Sequence, residues 1–180
     1  TMKTFSIGDR LIGEEFPTFI VAEIGINHGG NLEVAKKMVA SAHRGGAEVI
    51  KHQTHIIEDE MVPAARMIVP ENADVSIYNV IEKCRLSLDE EVELKAYTEG
   101  LGMIYLSTPF SRCAADFLME IGVPAFKIGS GECNNYPLVE HISSYGLPII
   151  LSTGMNDLDS IMPAVGIIEK HKIPYALLHC

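Results

Sequence analysis

Five short apolar runs, each closing on a cluster of polar residues, constrain this chain more than any other feature. They are FIVAEIGINH (19–28), AEVIKHQTH (47–55), MIYLSTPF (103–110), AFKIGSGE (125–132) and PIILSTGM (148–155). An apolar run of about four to eight residues reads as a strand buried on both faces. Polar groups confined to its C-terminal end read as a site assembled where parallel strands stop.

Three strands are introduced alike, in GVPAFKIGS (122–130), GLPIILST (146–153) and KIPYALLHC (172–180). The proline in each stops the preceding helix and fixes the start of the next strand, so the units read as repeats of one βα module. Between strands the spacing turns helical. Residues 31–45 carry Leu32, Ala35, Met38, Val39 and Ala42 at helical steps, with Gly45 and Gly46 as a stop. Ser87 and Glu90 make a capping box for a helix over 88–100, ended by Gly100 or Gly102, and shorter helices are expected over 112–121, 137–145 and 157–170. Strand and helix thus alternate six times from Phe19 to Cys180.

Such alternation leaves an open doubly wound sheet or a closed (β/α)8 TIM barrel. A doubly wound sheet gathers its site at one switch point, usually with a glycine-rich phosphate loop; here polar residues end nearly every strand and no GxGxxG or Walker pattern occurs. The expected fold is therefore α/β, with residues 1–18 as a hairpin capping a barrel, around the Gly8-Asp9 turn, and residues 19–180 as the N-terminal part of the barrel domain. Six strands do not close an eight-stranded barrel of about 250 residues. The expectation is the N-terminal part of a longer polypeptide.

Composition excludes several classes. Hydrophobic residues make up 47% and charged residues 21% of the chain, enough for a core, and no apolar run is long enough to span a membrane. No signal-peptide pattern opens it. Cys84, Cys113, Cys133 and Cys180 are scattered without a CxxC pair, which suggests neither a disulfide framework nor a zinc ribbon and fits a reducing cytoplasm. A net charge of -10 argues against a nucleic-acid partner. An anionic substrate needs local cations working against that field.

Two lysines within strands supply candidates. Lys51 shares a strand face with Val49 and Gln53, and Lys127 shares one with Ala125 and Gly129. A buried unpaired ammonium is costly, so each either snorkels, pairs with a core carboxylate or points at an anion. Glu23 interrupts the first strand on the face of Phe19 and Val21. It can neutralise Lys51 or act as acid, base or charge stabiliser, and the two roles are compatible. Gln53, Thr108, Ser130, Ser152 and Thr153 stand at strand ends, where small donors suit phosphate or carboxylate oxygens, although Ser and Thr also cap helices. GSGECNNYP (129–137) adds Glu132, Asn134 and Asn135.

The histidines are weaker candidates. His52 and His55 diverge along a strand and read as structural or second-layer groups rather than one metal site. His28 either approaches a substrate or holds the first βα loop, and His43, His141 and His171 read as solvated. The interval 54–88, with EDE and two prolines, departs from a minimal βα unit; Asn72 and Asp74 there are either sugar contacts or part of a surface excursion.

AEIGINHGG (22–30), EVIKHQTH (48–55), YLSTPFS (105–111), FKIGSGECNNYP (126–137) and ILSTGM (150–155) together resemble the successive strand-end motifs of the sialic acid synthases, the bacterial N-acetylneuraminate synthases. The resemblance covers all six units. It implies condensation of phosphoenolpyruvate with N-acetylmannosamine, with loss of phosphate by C–O cleavage. It assigns phosphoenolpyruvate to Lys51 and Lys127 assisted by Thr108, Ser130 and Ser152, the amino sugar to Gln53 and Glu132, and a place near the reacting carbons to Glu23. It also implies a divalent metal, Mn2+ or Mg2+, with ligands beyond Cys180, a C-terminal antifreeze-like domain and a domain-swapped homodimer. Legionaminic and pseudaminic acid synthases share the scaffold. The rival readings are a Schiff-base aldolase using Lys127 as nucleophile and a non-catalytic sugar-binding fragment.

Overall fold

The computed structural model describes residues 4–71 and 74–179. Asn72 and Cys180, both named above, lie outside the described residues. The chain divides into two compact units, Ile20–Tyr105 and Thr1–Phe19 with Leu106–Cys180. They are called the early-strand and late-strand units below.

The hairpin opens the late-strand unit. β1 (Thr4–Ile7) and β2 (Arg10–Gly13) pair antiparallel, with Thr4 opposite Gly13 and Ile7 opposite Arg10. Gly8 takes a φ of 57°, the left-handed conformation that a two-residue turn of this kind needs. Ile7 is fully buried, and Gly8 lies against Pro124, just before a later strand of the same unit.

The early-strand unit contains β3 (Val21–Gly25), α1 (Leu32–Arg44), β4 (Val49–Thr54), α2 (Ile57–Glu60), a 3-10 turn over Pro63–Met67, α3 (Ile77–Cys84) and α4 (Leu88–Gly100). β5 (Ile104–Pro109) begins here and carries the chain into the other unit. The sheet order is β3-β4-β5, with β3 and β4 parallel. Asn31 caps α1 by accepting from the Val34 N–H at 3.0 Å, Ala35 and Val39 form its buried stripe, and Gly45 and Gly46 end it as expected. Both halves of the capping box form at α4, where the Ser87 N–H donates to Glu90 Oε2 at 2.8 Å. That N–H, with the Ser87 hydroxyl, holds the Glu90 carboxyl below its usual range.

The interval 54–88 holds more structure than its composition suggests. Ser76 caps α3, and Tyr78 and Ile81 on one face of α3 pack with Ile57 of α2, against Ile26 and Met61. The three-residue step from Tyr78 to Ile81 was the signal, in a helix of eight residues that is too short for its period to stand out.

The late-strand unit continues with α5 (Arg112–Glu120), β6 (Phe126–Ile128), α6 (Tyr136–Ser143), β7 (Ile149–Ser152), α7 (Leu158–Lys170) and β8 (Tyr175–Leu178). β6, β7 and β8 form a parallel sheet in that order. Every residue of β6 and β7 is buried, as apolar runs predict. β8 differs: it is an edge strand with Leu177 and Leu178 exposed, because it has one strand neighbour among the described residues. Among those residues the six successive strands β3 to β8 are joined by five helical connections rather than six complete βα units. His141 and His171 are not merely solvated. They bond Asp116 and Glu140, each at 2.8 Å, and so tie α6 to α5 and α7.

Candidate active site

Glu23, Lys51 and Gln53 belong to the early-strand unit. Parallel pairing sets Glu23 directly beside Lys51, so both side chains leave the same face and Lys51 Nζ reaches Glu23 Oε1 at 3.3 Å. The lysine side chain is 9% exposed and the carboxylate side chain 65%. The burial expected of Lys51 is present; Glu23 is more open than a core carboxylate because it stands near the strand's C-terminal end. Immediately afterwards the register shifts by a β-bulge and Gly25, at a φ of 50°, faces His52. A side chain on Gly25 would be strained at that φ, and its Cβ would stand in ordinary contact with the Gln53 amide nitrogen, 3.7 Å away. Gln53 Oε1 is 3.2 Å from His55 Nε2, and His55 Nδ1 is 2.8 Å from Glu60 Oε2.

His52 projects into a buried chain of polar groups. The Gly30 N–H donates to His28 Nδ1 at 3.2 Å, and His28 Nε2 meets His52 Nε2 at 3.1 Å. His52 Nδ1 lies 3.2 Å from Tyr105 Oη, which donates to Glu91 Oε1 at 2.8 Å; Thr54 donates to the same oxygen. His28 thereby joins the first βα loop to β4, and His52 joins β4 to Tyr105 and Glu91. Burial first, and then His52, lower the His28 pKa from 6.5 to about 4, which keeps this chain neutral at His28. His28 thus holds the first βα loop, the second of its two expected roles. Glu91, Tyr105 and Thr54 escaped the sequence reading. Glu91 sits in an acidic first turn that looks solvated, yet it is buried on the face of Leu94 and Thr98.

The remaining candidates belong to the late-strand unit. Lys127 is opposite Ile150 on β7, so alternation brings Ser152 to its face. The buried Lys127 Nζ donates to Ser152 Oγ at 2.7 Å and to the Ile128 carbonyl at 2.9 Å. Thr108 Oγ1, near the end of β5, is buried with no hydrogen-bond partner among the described residues. Gly129 keeps the space beside Thr108 open, since its Cβ would stand 3.7 Å from Thr108 Cγ2. Ser130 opens a 3-10 turn, Ser130–Glu132, and its carbonyl accepts from Asn156 Nδ2 at 2.8 Å. Glu132 is tied down by Asn135 Nδ2 at 2.7 Å, while Asn135 caps α6. Thr153 donates to the Leu178 carbonyl at 2.9 Å and serves the sheet edge. Asn156 went unnoticed in the sequence because a lone amide in a loop carries no pattern.

A family model described as the NeuB family matches residues 38–180. The chain belongs to the NeuB family. Within it, human N-acetylneuraminate-9-phosphate synthase is 33% identical over 174 residues, which cover 95% of this chain and 48% of that protein. N,N'-diacetyllegionaminic acid synthase of Legionella pneumophila is 33% identical over 183 residues, covering 93% of this chain and 50% of that one. The crystal structure of N-acetylneuraminic acid synthetase from Leptospira borgpetersenii, in complex with citrate, superposes with a TM-score of 0.85 at 33% identity, over 98% of this chain and 59% of the other. The chain spans about half the length of the curated relatives it matches. These likenesses establish the expected fold class, a hairpin followed by successive βα units of the (β/α)8 barrel type.

Among the described residues, no group of three or more His, Cys, Asp or Glu side chains is placed to hold a metal ion. They do not by themselves make up the divalent-metal site that the family resemblance implies. No helix among them is long and apolar enough to cross a membrane.

Proposed function

We propose that the chain belongs to a synthase that condenses phosphoenolpyruvate with N-acetylmannosamine or a related N-acetylated amino sugar, giving a nonulosonic acid and phosphate. The observation that carries this reading is Lys127, a buried ammonium set at the end of parallel strands by Ser152 and Ile128 in a member of the NeuB family. Lys51, with Glu23 beside it, is the second such group.

In this reading Lys51 and Lys127 offset the phosphate and carboxylate charges of phosphoenolpyruvate, and the hydroxyls of Ser152, Ser130 and Thr108 donate to its oxygens. The unpartnered Thr108 hydroxyl supports this, since a buried donor without an acceptor is costly unless a ligand completes it. Gln53 and Glu132 bind the sugar. C3 of phosphoenolpyruvate forms a bond to the aldehyde carbon, whose oxygen takes up a proton. Water adds to the cationic C2, and Glu23 stabilises that cation and accepts one proton of the water, which balances the proton delivered to the aldehyde oxygen. The C2 hydroxyl so formed becomes the ketone as the C2–O bond to phosphate breaks and its proton passes to the departing phosphate.

Inorganic phosphate released from phosphoenolpyruvate only when N-acetylmannosamine is present tests the reading. Retention of the phosphoenolpyruvate bridging oxygen in the released phosphate confirms C–O cleavage. Inactivation by borohydride with pyruvate, without phosphate release, would instead identify Lys127 as a Schiff-base nucleophile.

A further inference from the structure

We infer that His55, anchored by Glu60, is a positioning residue that fixes the Gln53 amide with its NH2 group offered as a donor to an acceptor-sugar oxygen. The inference rests on the proposed role of Gln53 in binding that sugar. Its physical basis is the order of groups Glu60, His55, Gln53. The His55 side chain is 2% exposed and that of Glu60 12% exposed, so neither exchanges freely with water. A carboxylate oxygen only accepts, hence the 2.8 Å contact to Glu60 places a proton on His55 Nδ1 and fixes the plane of the ring. His55 Nε2 then points at Gln53 Oε1, 3.2 Å away. With the carbonyl end of the amide toward the ring, Nε2 donates as well, and Glu60 supplies the countercharge. The NH2 end is left beside Gly25, where the absence of a side chain gives a ligand oxygen room to approach.

An amide rotates readily between two orientations that present opposite hydrogen-bonding groups, so an unanchored Gln53 would bind carbonyl, hydroxyl and amine acceptors with little preference. Anchoring removes that ambiguity. Other charged groups near the ring include Glu82 and Arg85, which line with His55 a cavity of about 350 Å³, and Glu58, which pairs with Arg85 at 3.7 Å. None of these stands between His55 and Gln53 in the chain of hydrogen bonds.

The test uses the full-length enzyme, phosphoenolpyruvate and N-acetylmannosamine. Glu60→Gln keeps the size of the side chain but removes the countercharge. The expected result is a rise of at least about tenfold in the KM for N-acetylmannosamine, with the KM for phosphoenolpyruvate and the unfolding midpoint unchanged. Glu60→Asp should recover part of the loss. In ring-15N-labelled wild-type protein, His55 should show an exchange-protected low-field Nδ1 proton that Glu60→Gln loses; this reading stands even if the variant folds poorly. An unchanged acceptor KM in Glu60→Gln, or a His55 ring carrying a proton on one nitrogen only, overturns the inference. Gln53→Leu separates the two levels of failure. If it raises the acceptor KM while Glu60→Gln does not, only the positioning role falls; if it too leaves that KM unchanged, the placement of the sugar at Gln53 falls with it.

Discussion

The two units solve the same problem, holding a buried lysine within a strand, in different ways. In the early-strand unit Lys51 faces a carboxylate, and the strand bearing it is braced on its other face by His52, Tyr105 and Glu91. In the late-strand unit the Lys127 ammonium donates to the Ser152 hydroxyl and the Ile128 carbonyl. In the first arrangement an incoming anion would share the lysine with Glu23. The second orients the ammonium through hydrogen bonds. The difference teaches that two lysines within strands need not contribute alike to binding, while the lowered pKa of His28 puts a pH-sensitive group in the early-strand unit.

The largest effect should come from breaking the ion pair at Glu23. Glu23→Gln should lower kcat by about a hundredfold to ten-thousandfold with phosphoenolpyruvate binding nearly intact, since it removes charge while keeping shape. Single-turnover kinetics beside thermal unfolding decide the matter. A destabilised variant with wild-type chemistry would leave Glu23 only its role as the partner of Lys51.

Removing the lysines sharpens the contrast. Each substitution to Ala should cost about 2 to 5 kcal/mol in kcat/KM for phosphoenolpyruvate. Lys51→Ala also strands the Glu23 carboxylate beside the place where an anion would bind. The double variant Lys51→Ala, Glu23→Gln should therefore bind phosphoenolpyruvate better than Lys51→Ala alone. Equal affinities in those two variants would remove the ion pair from the binding account.

Acid should act on the early-strand unit. The folded pKa of His28, about 4, lies below its ordinary 6.5, so between those values the unfolded chain takes up a proton that the folded chain refuses. The stability provided by neutral His28 is full above pH 6.5 and is lost as pH falls toward 4, a change of about 3 kcal/mol. Urea unfolding at pH 7 and pH 4.5 should show this loss, and His28→Gln should flatten it. An identical pH dependence in the variant would mean that other groups carry the effect.

The smallest effect belongs to Thr108. Thr108→Val replaces a buried, unpartnered hydroxyl by a methyl group of similar size, so the ligand-free protein should gain about 1 to 2 kcal/mol of stability while phosphoenolpyruvate stabilises it less. Thermal shifts with and without the ligand report both changes. A loss of stability without ligand would show that the hydroxyl has a structural partner.

Much of this was legible in one dimension because its causes are local. The Ser87 and Glu90 capping box, the Gly45 and Gly46 stop, the Gly8 turn and the fully buried strands follow from contacts within a few residues, so spacing alone reveals them. The strand-end residues Lys51, Gln53, Lys127 and Ser152 were legible for the same reason, since alternation along a strand decides which side chains share a face. α3 was not, because its short apolar face gains its meaning from Ile57 on another helix.

What the sequence by itself determined is the order of strands and helices, the placing of two lysines and their small polar neighbours at strand ends, and the family these motifs indicate. Tertiary structure decided what those residues touch. Pairing across strands makes Glu23 the partner of Lys51 and turns Ser152 toward Lys127, and packing of α4 buries Glu91 against Tyr105. These contacts join residues 14 to 28 positions apart along the chain. Hydrogen bonds and ion pairs depend on distance in space, which separation along the chain does not encode.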